Sequence, residues 1–174
     1  MRQPLFVLAA AAALTAGCST VAEPQGGPPM TLINASGQTI GTVRAWQTAG
    51  GVTFRLHASG LPHGVHGVHV HDVGKCDPPD FASAGPHWNP TAKKHGMSNP
   101  AGPHAGDLPN VVVAANGVLD ATLVMSAANM SSLSDVDGAA LVIHAAADDY
   151  MTDPSGNSGA RIACALLQPV VLVR

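Results

Sequence analysis

Large rings are scarce in this chain of 174 residues: three Phe, two Trp and one Tyr. A core assembled without them must rely on small and branched apolar residues, and Val, Ala, Gly and Pro are plentiful. That composition favours short strands joined by many turns and disfavours a helix bundle. Charge is also sparse, at 11% of residues, with a formal net charge of −3. No basic surface of the kind that binds nucleic acid is encoded. There is no internal repeat, no low-complexity tract in the domain and no helical period. Cysteine occurs only three times, at Cys18, Cys76 and Cys164.

The first 17 residues read as a secretory signal. Arg2 supplies a positive charge, Leu5 to Leu14 contains only Ala, Val, Phe and Leu, and Thr15-Ala16-Gly17 follows. This run is too short to span a bilayer. Leu14-Thr15-Ala16-Gly17-Cys18 resembles a bacterial lipobox, with Thr15 where Leu is usual, and predicts lipidation of Cys18. Setting Cys18 aside leaves an even pair of cysteines in an exported, periplasmic or cell-envelope protein, where disulfides persist. Residues 18–29 contain one charge, at Glu23, and end in Gly26-Gly27-Pro28-Pro29, a flexible tether. The folded domain is expected over residues 30–174.

Eight strands are predicted in that domain: Thr31–Asn34, Thr39–Trp46, Val52–Ala58, Val65–His71, Val111–Ala115, Val118–Ser126, Ala139–His144 and Arg161–Val173. Ser36-Gly37, Gly50-Gly51, Asn116-Gly117 and Asp137-Gly138 punctuate them. The fold class is therefore all-β, an eight-stranded antiparallel sandwich or barrel. Two stretches lack strand character: the long loop Asp72 to Pro109 and the shorter Ala145 to Ala160. Irregular segments of such length are usually functional or disordered, and metals or a crosslink would offset the entropy of ordering them.

What the chain has instead of rings and charges is histidine. His69 and His71 lie two apart in Gly67-Val68-His69-Val70-His71, so on a strand they share a face and can reach one metal. His87 sits between Pro86 and Pro90. His95, His104 and Asp107 follow in the same loop, and His144 ends an apolar strand. These donors exceed what one tetrahedral site needs, so two metals are expected.

Together these segments resemble the copper–zinc superoxide dismutases, of the bacterial exported type. The matching stretches are Gly67-Val68-His69-Val70-His71, Ser83 to Pro90, Lys94-His95-Gly96, His104 to Leu108, His144 with Asp148-Asp149, and Gly159 to Cys164. The resemblance runs from about Met30 to the end and implies a Greek-key barrel with two functional loops. It implies copper held by His69, His71, His87 and His144, and zinc held by His87, His95, His104 and Asp107, with His87 shared. Imidazoles suit a redox copper, and three imidazoles with a carboxylate close a structural zinc site.

The implied reaction is the disproportionation of superoxide to dioxygen and hydrogen peroxide, protecting the cell envelope. His87 passes the proton and Arg161 attracts and orients the anion. Asp148 corresponds to a carboxylate linking a copper histidine to a zinc histidine. Cys76 is implied to pair with Cys164, and His66 to support the copper site from beneath. By strand parity His66 should face away from His69 and His71. His57 and His63 read as surface residues, Trp46 and Trp88 as packing residues, and Lys93 and Lys94 as a solvated pair. Two departures stand out: Val68 replaces the usual aromatic, and the loop between His144 and Arg161 contains no lysine. The resemblance leaves a homodimer open and implies membrane contact only through Cys18.

Overall fold

The computed structural model describes residues 26–126 and 128–167. The expected signal segment, Cys18 and residues 168–173 of the last expected strand lie outside the described residues. Nine strands are present among those described: β1 Met30–Asn34, β2 Thr39–Thr48, β3 Gly51–Ala58, β4 Gly64–His66, β5 Val68–His71, β6 Val111–Val113, β7 Leu119–Ser126, β8 Ala139–His144 and β9 Arg161–Leu167. Seven form one sheet in the order β5-β8-β9-β1-β2-β3-β7, and β4 pairs with β6 in a separate ribbon. Every pairing is antiparallel. The chain passes from β7 at one edge to β8 near the other, the long return of a Greek key. Residues 26–29 of the expected tether include a docked pair: Gly27 N–H donates to Ala45 O of β2, and Gly26 abuts the Trp46 ring.

The expected strand Val65–His71 is two strands in different sheets. The break falls at Gly67, whose N–H donates to Ala146 O and whose carbonyl accepts from His144 N–H, at 2.8 and 2.9 Å. A Cβ there would meet Ser158 Cβ at 3.0 Å and Asp148 Cβ at 3.3 Å. The second loop therefore docks against a bare backbone, and the single-strand expectation fails for that reason.

Alternation along β5 and β8 separates core from site. Val68, Val70, Leu141 and Ile143 point into the main core with Val43, Phe54, Leu56 and Leu119. Each such buried side chain contributes roughly 1.5–3 kcal/mol. On the opposite face of β8 and β9, Ala140, Val142 and Cys164 pack under Phe81 and Ala84 of the long loop. Cys76 and Cys164 are joined by a disulfide with Cα atoms 5.7 Å apart, closing 88 residues of chain. Loop closure of that length stabilises by about 4–5 kcal/mol in the chain-entropy model. The same bond fastens the long loop to β9, three residues from Arg161.

Candidate metal centre

The free edge of β5 is where the long loop enters. Val70 N–H donates to Gly106 O, Trp88 N–H to Val70 O and Asp72 N–H to Pro86 O, each at 2.8–3.0 Å. Backbone bridges thus set His69 opposite Asp107 and His71 opposite His87. Gly106 is required here, because a Cβ would lie 2.3 Å from Val70 O. His144 ends β8 on the same face and pairs across to Arg161 at the start of β9. The period of two in β5 and β8 therefore delivers three imidazoles to one place.

Ligand atoms of His69, His71, His87 and His144 all lie within 4.8 Å of one another, and all four residues are buried. One nitrogen of each makes no hydrogen bond among the described residues: His69 Nδ1, His71 Nε2, His87 Nε2 and His144 Nε2. The other nitrogens are committed. His71 Nδ1–H donates to Gly85 O at 2.8 Å, His144 Nδ1–H to Gly159 O at 3.1 Å, and His69 Nε2–H to Asp148 Oδ2 at 2.9 Å. Those bonds fix each tautomer and leave the unpartnered nitrogen as a lone-pair donor. Burial pushes His69 down to about 4, His144 to about 3 and His71 to about 2, so the donors are free of protons at neutral pH. Four buried and unpartnered imidazole nitrogens fit a cation with an affinity for imidazole.

A second convergence lies on the far side of His87. Its Nδ1, His95 Nδ1 and His104 Nδ1 lie 2.9, 3.0 and 3.3 Å from the same oxygen, Asp107 Oδ1. Asp107 Oδ2 is held separately, by the N–H groups of Gly96 and His104. His69 is also within reach of His87, His95 and Asp107. Its Nε2 is already spent on Asp148, however, and its Nδ1 belongs to the first cluster. His104 Nδ1 also reaches this convergence, 3.4 Å from His87 Nδ1 and 3.3 Å from Asp107 Oδ1. Burial opposes ionisation of Asp107, but hydrogen bonds from His87, His95 and Gly96 hold its carboxyl far below the usual range. His95 faces carboxylates at both nitrogens. Burial disfavours its cation, yet the bonds to Asp107 and Asp148 outweigh that and raise it to about 9. A divalent cation beside Asp107 Oδ1 would replace the proton this arrangement calls for.

Asp148 joins the clusters: Oδ2 accepts from His69 and Oδ1 from His95 Nε2–H at 3.0 Å. Burial disfavours its charge, but those bonds and the Tyr150 N–H hold its carboxyl well below the usual range. Asn110, absent from the sequence reading, clasps the Asp148 backbone: its Nδ2 donates to Asp148 O and its Oδ1 accepts from Asp148 N–H. Tyr150 Oη in turn accepts from Asn110 N–H at 2.7 Å. An Asn after Leu108-Pro109 carries no signal by itself, since its partner lies 38 residues away. Asp153 and Gly156 of the second loop were missed for the same reason. Gly156 packs directly on the Asp148–His95 bond.

His66 is buried beneath the first cluster, its Nδ1 2.7 Å from His144 O and its Nε2 2.8 Å from Pro62 O. His57 and His63 are exposed. A pocket of about 790 Å³ opens onto the clusters and is lined by His71, His87, His144, Arg161, Lys93 and Asp153 among others. Arg161 is anchored by the long loop, donating from Nη1 to Phe81 O at 2.6 Å and from Nη2 to Gly85 O at 2.7 Å.

Comparison with known proteins places this geometry. A superoxide dismutase [Cu-Zn] of Aquifex aeolicus is 46% identical over 143 residues, covering 79% of this chain and 85% of its own length. The crystal structure of a superoxide dismutase-like protein from Bacillus subtilis superposes with a TM-score of 0.79 at 40% identity, over 82% of this chain and 99% of that one. The Cu/Zn superoxide dismutase of Brucella abortus does so with a TM-score of 0.69 at 26% identity, over 82% and 99%. Residues 39–167 match the copper/zinc superoxide dismutase family. With that match over most of its length, the chain belongs to the copper/zinc superoxide dismutase family.

Proposed function

We propose that this protein disproportionates superoxide, with copper held by His69, His71, His87 and His144 and zinc by His87, His95, His104 and Asp107. The observation that carries this reading is the set of four unpartnered imidazole nitrogens beside three more that converge on one Asp107 oxygen. Bound copper supplies a one-electron couple, through which two superoxide anions and two protons become dioxygen and hydrogen peroxide.

The protein's own part is to attract, orient and supply protons. Arg161 has two of its donors fixed on carbonyls, so the guanidinium is preorganised at the pocket mouth, where its remaining donors meet the incoming anion. Gly85 O accepts from both Arg161 and His71, which ties the anion-binding group to a metal ligand. Lys94 is paired with Asp153, so Lys93 and Arg161 carry the attraction that the lysine-free second loop lacks. His87 lines the pocket, and its buried, unpartnered Nε2 is the atom where a proton for peroxide would be held. Asp148 keeps His69 and His95 in register, so the two halves are built as one unit.

Export and lipid attachment at Cys18 belong to this proposal. They are supported by the lipobox-like Leu14 to Cys18 and by the disulfide, which persists in oxidising compartments. The product would then act at the cell envelope. The test is metal analysis with a dismutation assay on the purified domain: about one copper and one zinc per chain, with activity, is expected. Copper-loaded protein without dismutation would overturn the reading. Labelling with radioactive palmitate, abolished by Cys18→Ser, tests the anchor, and an unlabelled wild type refutes it.

A further inference from the structure

Asp153 stands apart from the metal-binding motifs, in the second loop on the rim of the pocket. Its Oδ1 accepts from the His95 backbone N–H at 2.7 Å and lies 3.9 Å from His104 Nε2. Its Oδ2 accepts from Lys94 Nζ at 3.0 Å. His95 is thereby gripped at both ends by carboxylates of one loop: the main chain by Asp153 and ring Nε2 by Asp148. The same seam continues outward, where Ser98 N–H donates to Tyr150 O at 2.9 Å and Asn99 Nδ2 to Met151 O at 3.3 Å.

We propose that Asp153 is a positioning residue for the zinc half of the centre, acting through the His95 main chain to aim His95 Nδ1 at Asp107. The bond at Nε2 fixes the far end of the ring; at the Cα end the flanking Lys94 and Gly96 N–H groups bond Ala101 O and Asp107 Oδ2, and the His95 N–H between them is held by Asp153. Fixing both ends confines Nδ1, the donor that faces Asp107 Oδ1. Lys94 plays a lesser part: its side chain is mostly exposed, and exposed ion pairs contribute little. This inference rests on the assignment of His95 to zinc.

The test measures zinc release from the metal-loaded protein into excess 4-(2-pyridylazo)resorcinol, and the ligand-field spectrum of cobalt(II) placed in the zinc position. D153A is expected to release zinc about 10-fold faster or more, with shifted cobalt bands. D153N keeps an oxygen that accepts from His95 N–H and should stay near wild type, as should K94M. If D153A fails to fold, D153S, whose hydroxyl falls short of His95, takes its place. A stoichiometrically zinc-bound wild type whose D153A variant matches it within about twofold overturns the proposal. So does D153N behaving like D153A, since charge and not the acceptor would then matter. A wild type that holds no zinc overturns the site assignment and this inference together.

Discussion

Replacing Gly156 with Ala should loosen the zinc half of the centre without touching a ligand. A Cβ on Gly156 would lie 1.8 Å from Asp148 Oδ1 and 2.6 Å from both Asp148 Cγ and His95 Nε2. Ordinary contacts begin at 3.4 Å, so the overlap is most severe at Asp148 Oδ1, and Asp148 is buried. The carboxylate must therefore turn away from His95. Leaving those buried polar groups unpaired costs roughly 1–3 kcal/mol each. Gly156 also sits at φ +63°, where an L side chain adds about 1–2 kcal/mol. The loss should total about 3–8 kcal/mol, with zinc affinity reduced roughly 10- to 100-fold.

Gly60→Ala is the matched control. Gly60 has φ +77° with nothing among the described residues within 4 Å of its missing Cβ, so only backbone strain applies. Thermal unfolding and chelator competition on both variants separate crowding from strain. Equal losses in the two, or zinc affinity in G156A within about twofold of wild type, would refute the reasoning.

Three further outcomes are expected. Arg161→Ala should lower kcat/KM at least about 10-fold and flatten its salt dependence with metal content unchanged; undiminished kinetics would remove Arg161 from the anion path. Cys76→Ser with Cys164→Ser should cost up to about 4–5 kcal/mol and release the loop whose Phe81 and Gly85 carbonyls hold Arg161; a doubly substituted protein with wild-type stability and activity would contradict this. In the metal-free protein, His69, His71 and His144 titrate at about 4, 2 and 3, below the unfolded value near 6.5. Their contribution is complete above pH 6.5 and is lost as pH falls towards 2, so Tm should drop on acidification from pH 7 to 4. His95, raised to about 9, acts oppositely and only above pH 6.5, where its contribution fades as pH rises through 9. A metal-free Tm that is flat or rising on acidification would contradict the sign.

Much of this was legible in the sequence because it follows from period and local punctuation. The alternation in Val68-His69-Val70-His71 places the imidazoles on one face and the valines in the core, as found. Turn residues locate most strand ends. The break at Gly67 was not legible, because its cause is a docked loop some 80 residues away in sequence. Parity along an unbroken strand would turn His66 away from His69 and His71; with the chain broken at Gly67, His66 reaches the His144 carbonyl from the β4–β6 ribbon. Asn110, Asp153 and Gly156 were missed because each acts through backbone or bare space, and neither leaves a mark in residue type.

His87 is proposed to serve both metals: its Nε2 is among the four unpartnered nitrogens and its Nδ1 lies beside Asp107 Oδ1. The most direct measurement is the EPR spectrum of protein with copper(II) in both positions, recorded with the singly copper-loaded form. A shared imidazolate couples the two spins, so the signal of an isolated copper should vanish in the doubly loaded protein. Two independent copper signals of full intensity would show that His87 is not shared, and would contradict the account.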